Sequence, residues 1–217
     1  GGVRYDFRSI KNNDLYTKLD ASGHGEVVDY NPNDTTIVKK FDANNNSFSG
    51  FSGSLGATFL INEALSIKLN ISRGYRAPNI TEFAAMGVHP GTDYKQTSDP
   101  NSKPEFSLQQ DLGVFYDNEH ISGSIELFNN NITNYFYNEK LTSLNGGDSL
   151  YIENGDAYKV FKFRQTQAQL YGAEFSLDIH PHPLDWLHFE NSASFLYGIN
   201  RGGNGVVVSD STRNLPL

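Results

Sequence analysis

A histidine in a short loop is the residue of this chain with the clearest capacity for chemistry. His89 lies within residues 87–92 (GVHPGT), and Asp93 and Tyr94 follow directly. Imidazole, carboxylate and phenol groups can all bind a transition metal, and imidazole suits iron, zinc and copper alike. These residue types therefore indicate a candidate ligand segment without choosing the metal. A loop histidine that only packs on its neighbours is the simpler alternative.

A second group of histidines lies near the carboxyl end. His180 and His182 alternate with two prolines, and Asp185 follows three residues later. Prolines on either side of His182 predict a rigid turn, because each fixes its own backbone and lacks an N–H donor. A metal site at this turn is the less favoured alternative.

Other classes of chemistry find little support in the composition. The chain has no cysteine, which removes disulfides, thiolate nucleophiles and cysteine metal sites. A net charge of −8 argues against nucleic acid, whose phosphates require a basic surface. No Gly-x-Ser-x-Gly element or phosphate-binding glycine loop is present, so we expect neither an enzyme nor a resident cofactor. Segments such as 42–46 and 145–148 carry oxygen ligands but lack the spacing of a calcium loop.

The elements that must position these residues alternate with a period of two. In residues 65–72 (LSIKLNIS), apolar side chains occupy every odd position and polar ones every even position. A strand with one apolar and one polar face is the unit of a membrane barrel and also of a soluble sheet. Glu174, Asp178 and Glu190 lie among the polar positions of later strands. In a barrel we expect them to face a wet lumen, since a carboxylate facing lipid is costly.

Connector length separates the two possibilities. Seven strands are predicted, at about 1–8, 48–61, 64–75, 104–117, 120–137, 158–180 and 186–199. Short turns join some of them, whereas long polar segments occur near 9–47, 76–103, 138–157 and 200–213. Short turns at one end and long loops at the other are typical of outer-membrane barrels. Several strands also exceed the 9–11 residues, approximately, that cross a membrane.

The fold prediction is therefore all-β, an antiparallel up-and-down portion of a transmembrane barrel. No run of about 18 apolar residues predicts a membrane helix, and the one short helix expected lies at 80–86, inside a loop. The alternative fold is a soluble extracellular β-sandwich that binds carbohydrate or mediates adhesion.

Specific residues resemble a known family. The run Ser72-Arg73-Gly74-Tyr75-Arg76-Ala77-Pro78, followed by Lys103-Pro104-Glu105, resembles the strand end and strand start that flank one loop in TonB-dependent outer-membrane receptors. Ser102 stands where leucine is usual. Residues 2–6 and 169–175 are also similar to family elements, and 214–217 are similar to the start of a following strand. The resemblance is dense from about 65 to 116.

The resemblance implies a barrel of 22 strands closed around an N-terminal plug domain. Seven or eight strands are only a portion of such a barrel. A count of seven also does not fit a complete barrel, because bacterial single-chain barrels have even strand counts. We therefore expect residues 1–217 to be barrel, with the long segments as extracellular loops and the outer membrane as the location. The plug, which would engage TonB, is expected to lie outside this chain.

The resemblance also implies a ligand. In haem receptors of the family, a histidine between the two flanking elements ligates iron, and His89 lies in that interval. Iron-siderophore or related metal-complex uptake is the first expectation, haem the next, and an oligosaccharide remains open. The candidate ligand-binding residues are His89, Asp93, Tyr94 and Arg76, with His89 a possible metal ligand.

Physical reasoning adds one contact to this set. Arg76 and Glu105 flank the same loop and are expected to pair across its base; two separately solvated charges are the alternative.

Overall fold

The computed structural model describes residues 1–19, 25–84, 86–88, 94–153, 155–184 and 186–203. These residues form an almost entirely β structure with one short helix. In chain order the elements are β1 Gly2–Asn12, β2 Leu15–Leu19, β3 Gly25–Val28, β4 Ile37–Phe41, β5 Asn44–Leu60, β6 Leu65–Arg76, α1 Ile80–Ala84, β7 Met86–Val88, β8 Tyr94–Thr97, β9 Glu105–Asp117, β10 Ile121–Lys140, β11 Leu150–Glu153, β12 Asp156–Ile179 and β13 Phe189–Gly202.

Seven long strands build one antiparallel meander, in the order β1-β5-β6-β9-β10-β12, with β13 pairing with β12. They correspond to the seven predicted strands. The sheet is open among the described residues, as expected for a portion of a larger barrel. The predicted all-β, up-and-down barrel portion is therefore confirmed.

Side chains at the short turns explain why the chain reverses there. Between β5 and β6, the Asn62 side-chain oxygen accepts hydrogen bonds from the backbone N–H groups of Ala64 and Leu65, at 2.9 and 2.8 Å. Asn118 does the same for His120 and Ile121 between β9 and β10. Asparagine favours such turns because its short side chain can stand in for a backbone acceptor.

The register sorts the side chains into an apolar and a polar face. One continuous row of direct partners crosses six strands on the apolar face: Ala57, Leu69, Leu112, Leu127, Ala173 and Phe195. Phe195 is 74% exposed, and many other large apolar side chains on this face are also exposed. A sheet that leaves this surface uncovered in water would be unfavourable, whereas lipid covers it in a barrel.

The polar face carries the acidic residues predicted to face the lumen. Glu126 lies directly opposite Glu174, and Asp178 lies opposite Glu190. The described residues bury few apolar side chains, so the long strands do not enclose the two-layer core of a sandwich. The soluble sandwich alternative is therefore not supported.

Three predicted long loops contain strands of their own. β1 and β5 pair as far as Asn12 and Asn44, and β2–β4 form a separate three-stranded sheet within 9–47. β7 and β8 lie within 76–103, and β11 within 138–157. These strands are only three to five residues long, which is too short for an alternation to stand out, so the sequence pattern missed them.

Two further predictions concern helices and the carboxyl end. The short helix expected at 80–86 is present as α1, which ends at Ala84. Among the described residues, no helix is long and apolar enough to cross a membrane. The strand start expected at 214–217 lies outside the described residues.

Candidate ligand-binding site

The segment that carries the candidate ligand residues begins at the end of β6. Asn79 and Glu82 cap α1 reciprocally: the Glu82 N–H donates to Asn79 Oδ1 at 2.8 Å, and the Asn79 N–H donates to Glu82 Oε2 at 2.9 Å. Pairs of this kind satisfy backbone donors that a helix start leaves free. Phe83, 2% exposed, anchors the helix against Phe48.

Arg76 ties the two ends of this segment together. Its Nη1 donates to both Glu82 oxygens at 2.8 and 2.9 Å, and its Nη2 donates to Glu105 Oε2 at 3.1 Å. The guanidinium also lies 4.9 Å from the Phe136 ring centroid. The predicted pairing of Arg76 with Glu105 is confirmed, and Glu82 joins it.

Backbone pairing holds the middle of the segment near the start of β12. β7 pairs with β8, and β8 pairs in parallel with β12 over Lys159–Lys162. The Thr97 hydroxyl donates to the Phe161 carbonyl at 3.2 Å. The hairpin of β7 and β8 is therefore fixed to the long strand rather than projecting freely.

The candidate ligand residues differ in what the structure shows of them. Tyr94 begins β8, and its ring packs on Phe161 with 5.1 Å between centroids. His89 and Asp93 lie outside the described residues. Val88 pairs with Lys95, so the strand ends that flank residues 89–93 lie side by side. Ligand contact by Arg76, His89, Asp93 and Tyr94 stays a prediction.

Lys95, the next residue of β8, forms a cationic and aromatic pair with Tyr151. The Lys95 ammonium lies 3.4 Å from the centroid of the Tyr151 ring. Tyr151 donates to Glu153 at 3.4 Å; burial first, and then the Glu153 charge, raise the pKa of its phenol. Tyr151 is therefore a neutral phenol at physiological pH, able to stack or to donate a hydrogen bond.

A side-chain clamp fixes the returning end of the segment. Gln165 of β12 accepts from the Lys103 N–H at 2.8 Å and donates to the Lys103 carbonyl at 2.7 Å. It also donates to the carbonyl of Asn134 at 2.9 Å. Asn134 lies at a bulge in β10, has a φ of 57°, and donates to the Pro104 carbonyl.

Sequence reasoning did not single out Gln165 or Asn134. Neither position belongs to a motif, and a bulge after Ile132 leaves no mark on the alternation that surrounds it. The available signal was the asparagine itself, because asparagine is among the few residues that adopt positive φ readily.

The histidines near the carboxyl end occupy the opposite end of β12. His180 follows β12 directly, and His188 precedes β13, so both lie beside Asp178 rather than at the ligand segment. Asp185, predicted to accompany them, lies outside the described residues.

Comparison with known proteins identifies one family. The family model described as "TonB dependent receptor-like, beta-barrel" matches residues 1–216, which is nearly the whole chain.

Three solved structures share the fold at low sequence identity. A copper transporter, OprC, superposes with a TM-score of 0.65 at 15% sequence identity. The match covers 99% of this chain and 27% of the OprC chain. The Serratia marcescens hemophore receptor HasR superposes with a TM-score of 0.56 at 14% sequence identity. The match covers 93% of this chain and 31% of the HasR chain. The siderophore receptor PirA from Pseudomonas aeruginosa superposes with a TM-score of 0.52 at 17% sequence identity. The match covers 73% of this chain and 30% of the PirA chain. The chain thus spans less than a third of each of these proteins.

Proposed function

Because this chain belongs to the TonB-dependent receptor β-barrel family, whose members are outer-membrane transport proteins and not enzymes, we propose that it forms part of a receptor that binds a metal complex and imports it. The ligand we favour is a ferric siderophore. TonB energises the import through a plug domain outside this chain, and lipid covers the apolar face.

One observation carries the ligand-binding part of the proposal. The β7–β8 hairpin is paired with β12 near the start of that strand, and it is held at its base by Arg76 and at its return by Gln165. A ligand segment gains affinity when it is ordered before the ligand arrives, because less entropy is then lost on binding.

The chemistry of the segment suits a metal complex. Tyr94 and Tyr151 offer aromatic faces, and Lys95 offers a cation for an acidic or catecholate ligand. His89 and Asp93 would add direct contacts through imidazole and carboxylate. Arg76 contributes by holding the segment, since its guanidinium already pairs with two carboxylates.

The structural neighbours support the same class of ligand. These neighbours are a copper transporter, a hemophore receptor in complex with its hemophore and heme, and a siderophore receptor. Copper and heme are named for two of them, and a siderophore for the third. Haem is the second candidate, because His89 lies on the segment where a haem iron would need an axial ligand.

Direct binding to the natural outer-membrane protein tests this proposal. Titration with a panel of ferric siderophores and with haem is expected to give saturable binding to at least one of them. His89→Ala and Tyr94→Ala are each expected to weaken that binding about tenfold or more, which corresponds to about 1.4 kcal/mol. His120→Ala is the matched control, because His120 lies at a short turn between β9 and β10.

Binding that is equal in all three variants would contradict the proposed site. Absence of binding to every metal complex, together with binding of an oligosaccharide, would contradict the proposed ligand class.

A further inference from the structure

Two histidines and one aspartate converge on the polar face at the short-turn end of β12 and β13. Asp178 lies near the end of β12, His180 follows the strand, and His188 comes just before β13. Ile179 pairs with Phe189, so His180 and His188 occupy the next positions across the same hairpin. Their rings stack, with 5.5 Å between centroids.

The ligand atoms of these three side chains are close enough to share one ion. His188 Nδ1 lies 2.9 Å from Asp178 Oδ2, and His180 Nδ1 lies 3.3 Å from the same oxygen. All three groups place their ligand atoms within 4.8 Å of one another. Two ligands bound at about 2.1 Å to a tetrahedral ion lie about 3.4 Å apart, so only small movements are needed.

Hydrogen bonding within the cluster is incomplete. His188 Nδ1 donates to Asp178 Oδ2. The buried Asp178 Oδ1 and His180 Nδ1 have no hydrogen-bond partner among the described residues. Buried polar atoms are usually paired, because an unpaired one keeps the cost of losing water. A bound cation would supply the missing partner to both atoms.

The surrounding charges also favour a cation. Glu190 lies directly opposite Asp178, and like charges in that position repel. No described lysine or arginine forms an ion pair with either carboxylate. Ser122, the partner of Asp178 on β10, is uncharged.

We propose that Asp178, His180 and His188 form a binding site for a divalent first-row transition metal ion, with Zn²⁺ as the ion best suited to two imidazoles and one carboxylate. Water would complete a tetrahedral set. The ion would join the end of β12 to the start of β13. Twenty residues of β12 lie between Lys159 and His180, roughly 70 Å along the chain, so this site is distinct from the candidate ligand site.

Isothermal titration of the natural, chelator-treated protein with ZnCl₂ tests this site. We expect saturable binding that His188→Gln weakens by at least about tenfold, since loss of even an outer partner of a metal ligand costs about 10- to 100-fold. Asp178→Asn is the second variant and is expected to weaken binding similarly. His182→Gln is the matched control, because it changes a histidine of the same turn outside the cluster and is expected to leave the affinity unchanged.

His188 is half-exposed, so its substitution should not prevent folding, and heat-modifiable electrophoretic mobility checks this for every variant. Co²⁺ used as a probe is expected to give the visible absorption of a tetrahedral site in the natural protein and to lose it in His188→Gln. Absence of Zn²⁺ binding by the natural protein, or equal affinity in His188→Gln and His182→Gln, would overturn the proposal. Neither result bears on siderophore or haem binding, which is measured separately.

Discussion

Arg76 has a structural role at the base of the ligand segment. Its guanidinium joins Glu82, which is 6% exposed, to Glu105, whose carboxylate also accepts from the Phe136 N–H at 3.1 Å. A planar donor that binds two carboxylates at once fixes both their distance and their orientation. Because lysine offers only a point charge, it could not replace this geometry.

Arg76→Gln is expected to loosen residues 77–104. Removal of the guanidinium leaves Glu82 buried with a charge that has lost its main partner, which costs about 1–3 kcal/mol. Limited proteolysis should therefore cut this segment faster than in the natural protein. Arg164→Gln is the matched control, because the Arg164–Glu139 pair is more exposed and worth little. Equal cleavage in both variants would show that Arg76 does not hold the segment.

The residue scale also shows what a sequence can and cannot predict about the site. Arg76 and Glu105 were predictable as partners, because they flank one loop. Glu82 was not added to them, since only the turn of α1 brings it back to the arginine. Asp178 and His188 were missed for the same reason: their contact depends on the β12–β13 register, which the prolines at 181 and 183 obscure.

β12 organises the structure at the scale of elements. It pairs with β10 from Phe161 and with β13 from Gln167, in both cases as far as Ile179, and near its beginning it also pairs with β8 and β11. One strand therefore carries the candidate ligand segment near its start and the proposed metal site at its end. Its length of 24 residues exceeds what a membrane requires, which leaves both ends free to carry sites.

Gln165 is expected to control the order of the returning half of the ligand segment. Gln165→Ala removes three hydrogen bonds, two of them to the backbone of Lys103. Amide hydrogen exchange at residues 101–103 should speed up, and ligand affinity should fall about three- to tenfold because ordering now has to accompany binding. The matched control is Gln167→Ala, on the same strand. If exchange at residues 101–103 is unchanged in Gln165→Ala, the hydrogen bonds of Gln165 do not order this end of the segment.

Strand existence was predictable at this scale, but strand extent was not. Alternation located the seven long strands because one face must be apolar. Beyond the apolar band this requirement ends, so β10 continues to Lys140 and β8 pairs with β12 without any hydrophobic pattern. Backbone hydrogen bonds and a few local contacts, such as that of Tyr94 with Phe161, hold these parts together, and neither produces a hydrophobic alternation in the sequence.

At the scale of the whole molecule, the two faces of the sheet meet different solvents. The apolar rows are exposed in an open sheet, and we expect lipid to cover them, whereas the acidic rows line the lumen. A charge is therefore tolerated on one face and not on the other.

Leu127→Arg is expected to impair assembly, because arginine on the lipid face costs about 2–4 kcal/mol near the bilayer midplane. Ser124→Arg, three residues away on the polar face, is the matched control and should assemble normally. The measurement is the fraction of heat-modifiable, folded protein in outer-membrane preparations. Equal yields of the two variants would contradict the assignment of the faces.

Energised uptake of a metal complex by living cells tests the central claim most directly. Cells that make the natural protein are compared with a deletion strain for accumulation of radiolabelled ferric siderophore, with and without an uncoupler of the proton motive force. We expect saturable uptake that is lost on deletion and lost with the uncoupler. A deletion strain that accumulates every ferric siderophore and haem as well as its parent would contradict the account.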